Sequence, residues 1–353
     1  MSKILITGAA GFIGSQLAYK FIKEGHKLIL VDNMSYGHED NLKFDDVDLN
    51  EVLFKYDIRD REKMEEIFNI FDDHFDYVYN IAGIAPLPDC QSNPCEAVDV
   101  NVNGFVNILE LSRIYGVKTV IQASTNAIYE NCTEFPTFEH ELPLPGQWNA
   151  PLPTLIYPNT KYCAERFAQS YCDTYGMNVC CVRFANVYGP HVDCLRKQPP
   201  FVGYLIRELY YDRTPVFHSD GKQSRDYIYV DDLTDLLEKV QSCKGFDVVN
   251  CSSNKSYSVR QIYDIAQDIM HKTILAEYVD SSNYWKKYPQ LYEGAYPIKP
   301  EVLDHEVNKY SLCDNTHGLK KYNWQPKVDI GEGMSNMIKY TVKQFQKLDK
   351  GSK

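Results

Sequence analysis

Nowhere in the 353 residues is there a run approaching the roughly 20 consecutive apolar residues that cross a bilayer. That excludes a helical membrane protein. The opening Met1-Ser2-Lys3-Ile4-Leu5-Ile6 lacks a signal peptide's apolar core and cleavage site, so a cytoplasmic location is expected. Basic residues are also short: 37 Lys and Arg against 48 Asp and Glu leave a net charge of −11. A general nucleic-acid binder needs clustered Lys and Arg, so that class is excluded, although a local pocket on an acidic protein can still take a small anion. Cysteine pairs at metal-ligand spacing are missing. The eleven cysteines are scattered, Cys180-Cys181 lies in an apolar run, and Cys90 and Cys95 have no second pair. They read as reduced, mostly buried thiols, with no metal site. Repeats and low-complexity segments are absent too. The chain is long enough for one large domain, or a larger domain with a smaller partner.

Short apolar runs alternate with amphipathic stretches through the first half. Ile4-Leu5-Ile6, Leu28–Val31, Val52–Phe54, Tyr77–Asn80, Thr119–Ile121 and Val179–Val182 read as strands. Helices are expected at Phe12–Glu24, Arg61–Phe71, Pro94–Tyr115 and from Pro158 onward. Strands alternating with helices of this length predict an α/β fold: a doubly wound (Rossmann) parallel sheet covered on both faces. Beyond Pro190 the rhythm breaks. Helices at Phe201–Tyr211, Val230–Val240 and Val259–Met270 are separated by irregular segments, which predicts a smaller, discontinuous lobe for substrate. The expected division is 1–190, with about 225–255 returning to it, and 191–345 mostly the smaller lobe. Residues 279–300 carry Tyr284, Trp285, Tyr288, Tyr292 and Tyr296 without a clear period. They either cover a ligand or an interface, or pack onto their own lobe.

Gly8, Gly11 and Gly14 follow the first strand and open the first helix, spaced G-x-x-G-x-x-G. Glycines let a backbone turn tightly and approach a pyrophosphate, to which the helix N-terminus offers free N–H groups. The second strand ends at Asp32, where a carboxylate accepts hydrogen bonds from ribose hydroxyls and repels a 2′-phosphate. Asn33-Met34-Ser35 supply no Arg to hold such a phosphate, so NAD is expected over NADP. Asp57-Ile58, after the third strand, suits an adenine contact or a plain turn.

Tyr157 and Lys161 are spaced i,i+4 at the start of a helix, on one face. Free tyrosine, with a pKa of about 10, is a poor base at neutral pH, and a nearby ammonium favours its phenolate. Ser124-Thr125 follow the fifth strand, where a hydroxyl can bond the same substrate oxygen.

With these motifs in order over nearly its whole length, the chain resembles an extended short-chain dehydrogenase/reductase of the nucleotide-sugar epimerase/dehydratase group. Asn80-Ile81-Ala82-Gly83, Asn101-Val102-Asn103-Gly104, Arg183–Pro190 and Gly221–Asp232 carry the likeness further. The resemblance implies catalysis by Tyr157, Lys161, Ser124 and Thr125. It implies NAD contacts from Gly8, Gly11, Phe12, Ile13, Gly14, Asp32, Asn33, Asp57, Ile58, Ala82 and Asn101, besides Tyr157 and Lys161. Asn186 and Arg225 would hold the substrate diphosphate; a salt bridge of Arg225 with Asp226 or Asp231 is the plain alternative. A homodimer is implied as well, through helices Pro94–Tyr115 and Pro158–Tyr175, with Val98, Val102, Phe105 and Leu109 at helical spacing.

Family dehydratases carry an Asp-Glu pair after the Ser/Thr, where this chain has Asn126-Ala127, and the glutamate of sugar-acid decarboxylases would fall at Ala127. Glu130 lies three residues further on. Without that acid/base pair the simplest expectation is NAD-dependent 4-epimerization. The alternatives are a nucleotide-sugar dehydrogenase or keto-sugar reductase, a 4,6-dehydratase, and a non-enzymatic NAD-binding regulator. Two features depart from the family pattern: Pro158-Asn159-Thr160 after Tyr157, and the two prolines in Ile84–Gln91, which lines the family's substrate entrance.

Overall fold

Runs rich in Val, Ile and Leu supply the strands, because alternate residues bury on opposite faces of a covered sheet. The computed structural model describes all residues except 45–46, 72–73, 140–151, 197 and 352–353. Its strands are β1 Lys3–Thr7, β2 Lys27–Val31, β3 Leu53–Phe54, β4 Tyr77–Asn80, β5 Thr119–Thr125, β6 Val179–Phe184, β7 Asn186–Tyr188, β8 Val216–Phe217, β9 Ser224–Tyr229, β10 Phe246–Cys251, β11 Ser256–Ser258 and β12 Glu277–Tyr278. Seven form one parallel sheet in the order β10-β6-β5-β4-β1-β2-β3. Chain order reverses at β1, so the carboxyl ends of β1 and β4 flank the crevice where such sheets bind ligands.

Alternation along β1 divides the core. Ile4 and Ile6 pack with Leu17, Ala18 and Phe21 of helix Phe12–Lys23 and with Leu233, Leu236 and Leu237 of helix Val230–Lys239. Leu5 faces the other layer, with Met64, Phe68, Phe105, Leu109, Ala164 and Ala168. A third cluster, including Tyr188, Leu205, Ile206, Ile262, Met334 and Met337, is the core of the smaller lobe. That lobe holds the sheets β11-β9-β7 and β12-β8 and helices Phe201–Tyr210, Val259–Met270 and Ile330–Gly351. No described helix is long and apolar enough to cross a membrane.

The structure differs locally from the sequence reading. β5 runs on through Ser124 and Thr125 rather than ending before them. The helix carrying Tyr157 spans Ile156–Tyr175, so Pro158 lies in its first turn, where no intrahelical N–H bond is lost. The long helix before β5 contains a π-helical stretch, Asp99–Gly104, between Pro94–Val98 and Phe105–Ile114. Ile84–Gln91, with its two prolines, contains most of a short helix, Leu87–Ser92. At the amino end of β10 the Asp247 carboxylate is taken by His317 at 3.0 Å, Lys321 at 3.0 Å and the Tyr322 hydroxyl at 2.5 Å, beside the free thiols Cys180 and Cys243.

Candidate active site

The turn after β1 places Gly8 at φ +67, against the backbone that follows β4. A Cβ on Gly8 would lie 2.6 Å from the Ala82 nitrogen and 2.9 Å from the Ile81 carbonyl carbon, so only glycine fits. Gly11 is the N-cap of helix Phe12–Lys23 and makes no side-chain cap, while Gly14 lies in the first turn against the Gly8 carbonyl. First-turn N–H groups are therefore left to an anion. Asp32, buried at the end of β2, accepts from Ala10 N at 3.0 Å and Met34 N at 2.8 Å. A carboxylate has about four lone-pair sites, so accepting capacity remains for a ribose hydroxyl. Burial raises the Asp32 carboxyl above its usual value, with the backbone N–H groups opposing that shift. This cradle and carboxylate fit a dinucleotide.

The other expected cofactor residues take more varied positions. Asn33 donates to Asp57 at 2.8 Å, and Arg59 pairs with Asp57 at 2.8 Å. The Arg59 guanidinium is the main reason Asp57 is held down at about 2. Ile58 is buried against Gly104. Phe12 packs toward the smaller lobe, and Ile13 lines the cavity described below. Asn101, aimed inward from the π-helical stretch, spends its amide on protein: Oδ1 accepts from Ile84 N at 2.8 Å, while Nδ2 donates to Ile84 O at 2.9 Å and Thr160 Oγ1 at 3.0 Å. It ties the Ile84 loop to the Tyr157 helix.

Tyr157, Thr125, Ser124, Asn186 and Arg225 line one cavity of about 280 Å³ between the sheet and the smaller lobe. Burial pushes the Tyr157 phenol up to about 12, and a hydrogen bond with the Thr125 hydroxyl pulls it back. Lys161, one turn on, is buried and donates to Ala123 O at 3.0 Å. Burial pushes its ammonium down to about 8, which leaves it cationic at neutral pH. Gly83 makes room for it, since a Cβ there would stand 3.0 Å from Nζ and 2.9 Å from Asn101 Oδ1.

Ser124 and Thr125 do different things. Ser124 Oγ donates to Glu165 at 2.6 Å, within a buried network in which Arg183 forks onto both Glu165 oxygens (2.8 and 2.6 Å) and reaches the Tyr129 hydroxyl at 2.6 Å. Burial opposes the Arg183 charge, but Glu165 and Tyr129 outweigh it and hold the guanidinium above its ordinary value. Glu165 was missed from the sequence, although it lies one turn beyond Lys161 on the same helix face.

Arg225 gives three of its five N–H donors to carbonyls, of Ser224 at 3.1 Å, Glu306 at 2.9 Å and Lys309. Asp226 does not pair with it: its carboxylate holds Ser253 N at 2.9 Å and Ser253 Oγ at 3.0 Å. The guanidinium is thus a half-buried cation on the cavity wall, and desolvation there lowers it from its usual value. Asn186 donates to Asp226 O at 3.1 Å and lines the same wall, and Lys309, paired with Glu306 at 2.6 Å, adds a second cation. Glu130 also reaches the cavity, but one of its oxygens caps Leu155 N at 3.0 Å, at the entry to the Tyr157 helix.

NAD is expected to bind more tightly than NADP, and Asp32→Ala to narrow the ratio while weakening both, since Asp32 also fixes the Ala10 and Met34 backbone. Titration of both cofactors against the two proteins measures this. Equal affinities in the wild type would contradict the role given to Asp32.

Comparison with known proteins agrees with this geometry. The model of the NAD dependent epimerase/dehydratase family matches residues 4–258. The UDP-glucuronate 4-epimerase of Thermodesulfobacterium geofontis is 27% identical over 98% of each chain. A putative UDP-glucose 4-epimerase of Methanocaldococcus jannaschii is 27% identical over 96% of this chain and 97% of that one. The crystal structure of a UDP-glucose 4-epimerase from Thermotoga maritima with UDP-glucose superposes with a TM-score of 0.83 at 30% identity, over 97% of this chain and 99% of that one. The chain therefore belongs to the NAD-dependent epimerase/dehydratase family, with NAD as its cofactor.

Proposed function

We propose that the protein is a nucleotide-sugar 4-epimerase. The observation that carries this reading is the meeting of Tyr157, Thr125 and the cation Arg225 in one cavity, with Asn126 and Ala127 where a dehydratase would need an acid and a base. Arg225 and Asn186 hold the diphosphate, which leaves the sugar at Tyr157. Thr125 and Tyr157 bond the C4 hydroxyl from two sides, and Tyr157 takes its proton as phenolate. Lys161 supports that phenolate with its charge. NAD, which the Gly8–Gly14 turn and Asp32 would hold, would supply the hydride acceptor. Return of the hydride to the opposite face, with Tyr157 giving the proton back, yields the C4 epimer. Relatives named as 4-epimerases of UDP-glucose and UDP-glucuronate support the substrate class.

Incubation with a panel of nucleotide sugars, followed by mass spectrometry and NMR, tests the reading. An unchanged mass with a new anomeric signal is expected. Loss of water would mean a dehydratase instead, and a two-dalton change would mean net oxidation or reduction.

A homodimer through helices Pro94–Ile114 and Ile156–Tyr175 belongs to the same proposal. Phe105 and Leu109 are wholly buried in their own core and Val102 nearly so, which removes them from the expected interface. Val98 and Phe167, 41% and 40% exposed, with Ile114 and Tyr175 at the helix ends, are the large apolar groups these helices offer a second copy. Light scattering at micromolar concentration is expected to give twice the 40.8 kDa chain mass, and a monomer would contradict the proposal.

A further inference from the structure

Two segments that the sequence singles out, the proline-containing Ile84–Gln91 and the aromatic 279–300, meet in the fold. Asp89, on helix Leu87–Ser92, accepts on Oδ1 from the Tyr288 hydroxyl at 2.7 Å and on Oδ2 from the Tyr36 hydroxyl at 3.1 Å. One carboxylate thus joins three parts of the chain, its partners being 199 and 53 residues away in sequence.

Each part borders the site. Tyr36 follows the Asp32 turn, and its neighbour Gly37 lies against the Asp32 carboxylate. Ala85 and Leu87 line the cavity, and Gln91 on the same helix accepts from Ile156 N at 3.2 Å, beside Tyr157. Tyr288 joins the turns Ser281–Lys287 and Pro289–Tyr292, which pack against helix Pro300–Asn308 on one side and helix Leu87–Ser92 on the other. Glu306 of helix Pro300–Asn308, and Lys309 just beyond it, line the far wall of the cavity. The aromatic segment therefore bridges the two rims. It is firmly seated: Trp285 is fully buried, Tyr288 is 3% exposed, and the Tyr284 ring meets His218 edge-on at 5.4 Å.

We propose that Asp89 is a positioning residue that clasps the cofactor side (Tyr36) and the smaller lobe (Tyr288) across the pocket, retaining the keto-sugar between the two hydride transfers. The inference rests on the epimerase reading above. Oxidation sends a hydride from C4 to the nicotinamide and the hydroxyl proton to Tyr157, leaving a ketone, and return reverses both. A nicotinamide held in one place would return hydride from the side that took it, so the sugar ring would have to turn to receive it on its other face. A turning ring gives up its own hydrogen bonds, and enclosure has to hold it. If the ketone escapes, the enzyme is left with reduced cofactor and protonated Tyr157, and turnover stops.

Tyr288→Phe and Asp89→Asn test the clasp with UDP-glucose as probe. The measurements are the dissociation rate of UDP-glucose from the NAD-loaded protein by stopped flow, the 340 nm absorbance of reduced cofactor during turnover, and free keto-sugar by mass spectrometry after filtration. Each variant is expected to release UDP-glucose at least about tenfold faster than the wild type (1.4 kcal/mol per decade). Each should also accumulate absorbance and free ketone that the wild type does not. Combining the two substitutions should add little to Asp89→Asn alone, since the Tyr288 bond is one of the two that the loss of the carboxylate already weakens. Release rates within twofold of the wild type, with no ketone, would overturn the proposal. If Asp89→Asn melts early, Tyr288→Phe and Tyr36→Phe, which each remove one hydroxyl, decide it by the same criteria. A wild type that binds UDP-glucose but epimerises no nucleotide sugar would sink the epimerase reading, and the clasp with it. Epimerisation with unchanged variants would sink the clasp alone.

Discussion

Tyr157→Phe is expected to lower turnover by at least about 10²–10⁴-fold, the range for a lost general acid/base, while nucleotide-sugar affinity changes little. The ring and its packing survive, and the diphosphate contacts lie elsewhere in the cavity, at Arg225 and Asn186. Lys161→Met should also slow turnover, with a distinct pH signature. Burial pushes Tyr157 up to about 12, against the hydrogen bond with Thr125. In the mechanism proposed above the Lys161 charge, held below about 8, favours the phenolate. With Lys161 replaced, nothing at that position opposes burial, so the rising limb of any surviving activity should move to higher pH. In the wild type the Lys161 contribution should fade as pH rises through about 8. Near-normal turnover of folded Tyr157→Phe would shift the search for the base to the other groups at the cavity, Tyr129, Glu130, Ser124 and Thr125.

Arg183→Met is expected to destabilise the fold by about 3–5 kcal/mol, because breaking a buried ion pair strands the remaining charge. Glu165 would keep Ser124 as its donor but lose both guanidinium bonds, at a place where both side chains are 3% exposed. Removing the charge at both positions, in Arg183→Met with Glu165→Leu, should recover much of the loss, since no orphaned charge remains. Urea unfolding of both variants measures this. A single variant as stable as the wild type would contradict the network's role.

The parallel sheet was legible because each strand is a short aliphatic run between turn signals. Gly8 and Asp32 were legible because a pyrophosphate and a ribose each require one specific feature, at a spacing that one strand and one helix determine. Ser124 and Thr125 were not separable. Once β5 extends through both, neighbouring side chains alternate across the sheet, so Thr125 meets Tyr157 while Ser124 meets Glu165. Asn101 looked like a cofactor ligand, but a π-helical stretch turns its amide onto Ile84 and Thr160, and helical spacing does not register such a stretch. The carbonyls that hold Arg225 come from residues 81 and 84 positions away, beyond any local pattern. The aromatic segment shows no period because it folds as short 3₁₀ turns, and the carboxylate it reaches lies 199 residues earlier.

The most direct test of 4-epimerization follows the hydrogen on C4. A UDP-sugar epimerised in the panel experiment is prepared with deuterium at C4 and incubated with the protein in ordinary water, then with unlabelled substrate in heavy water. NMR and mass spectrometry should find the deuterium retained at C4 of the new epimer, and no deuterium gained from heavy water, because the hydride leaves and returns within one closed site. Deuterium lost to water, or solvent deuterium appearing at C4, would contradict hydride removal and return as the mechanism.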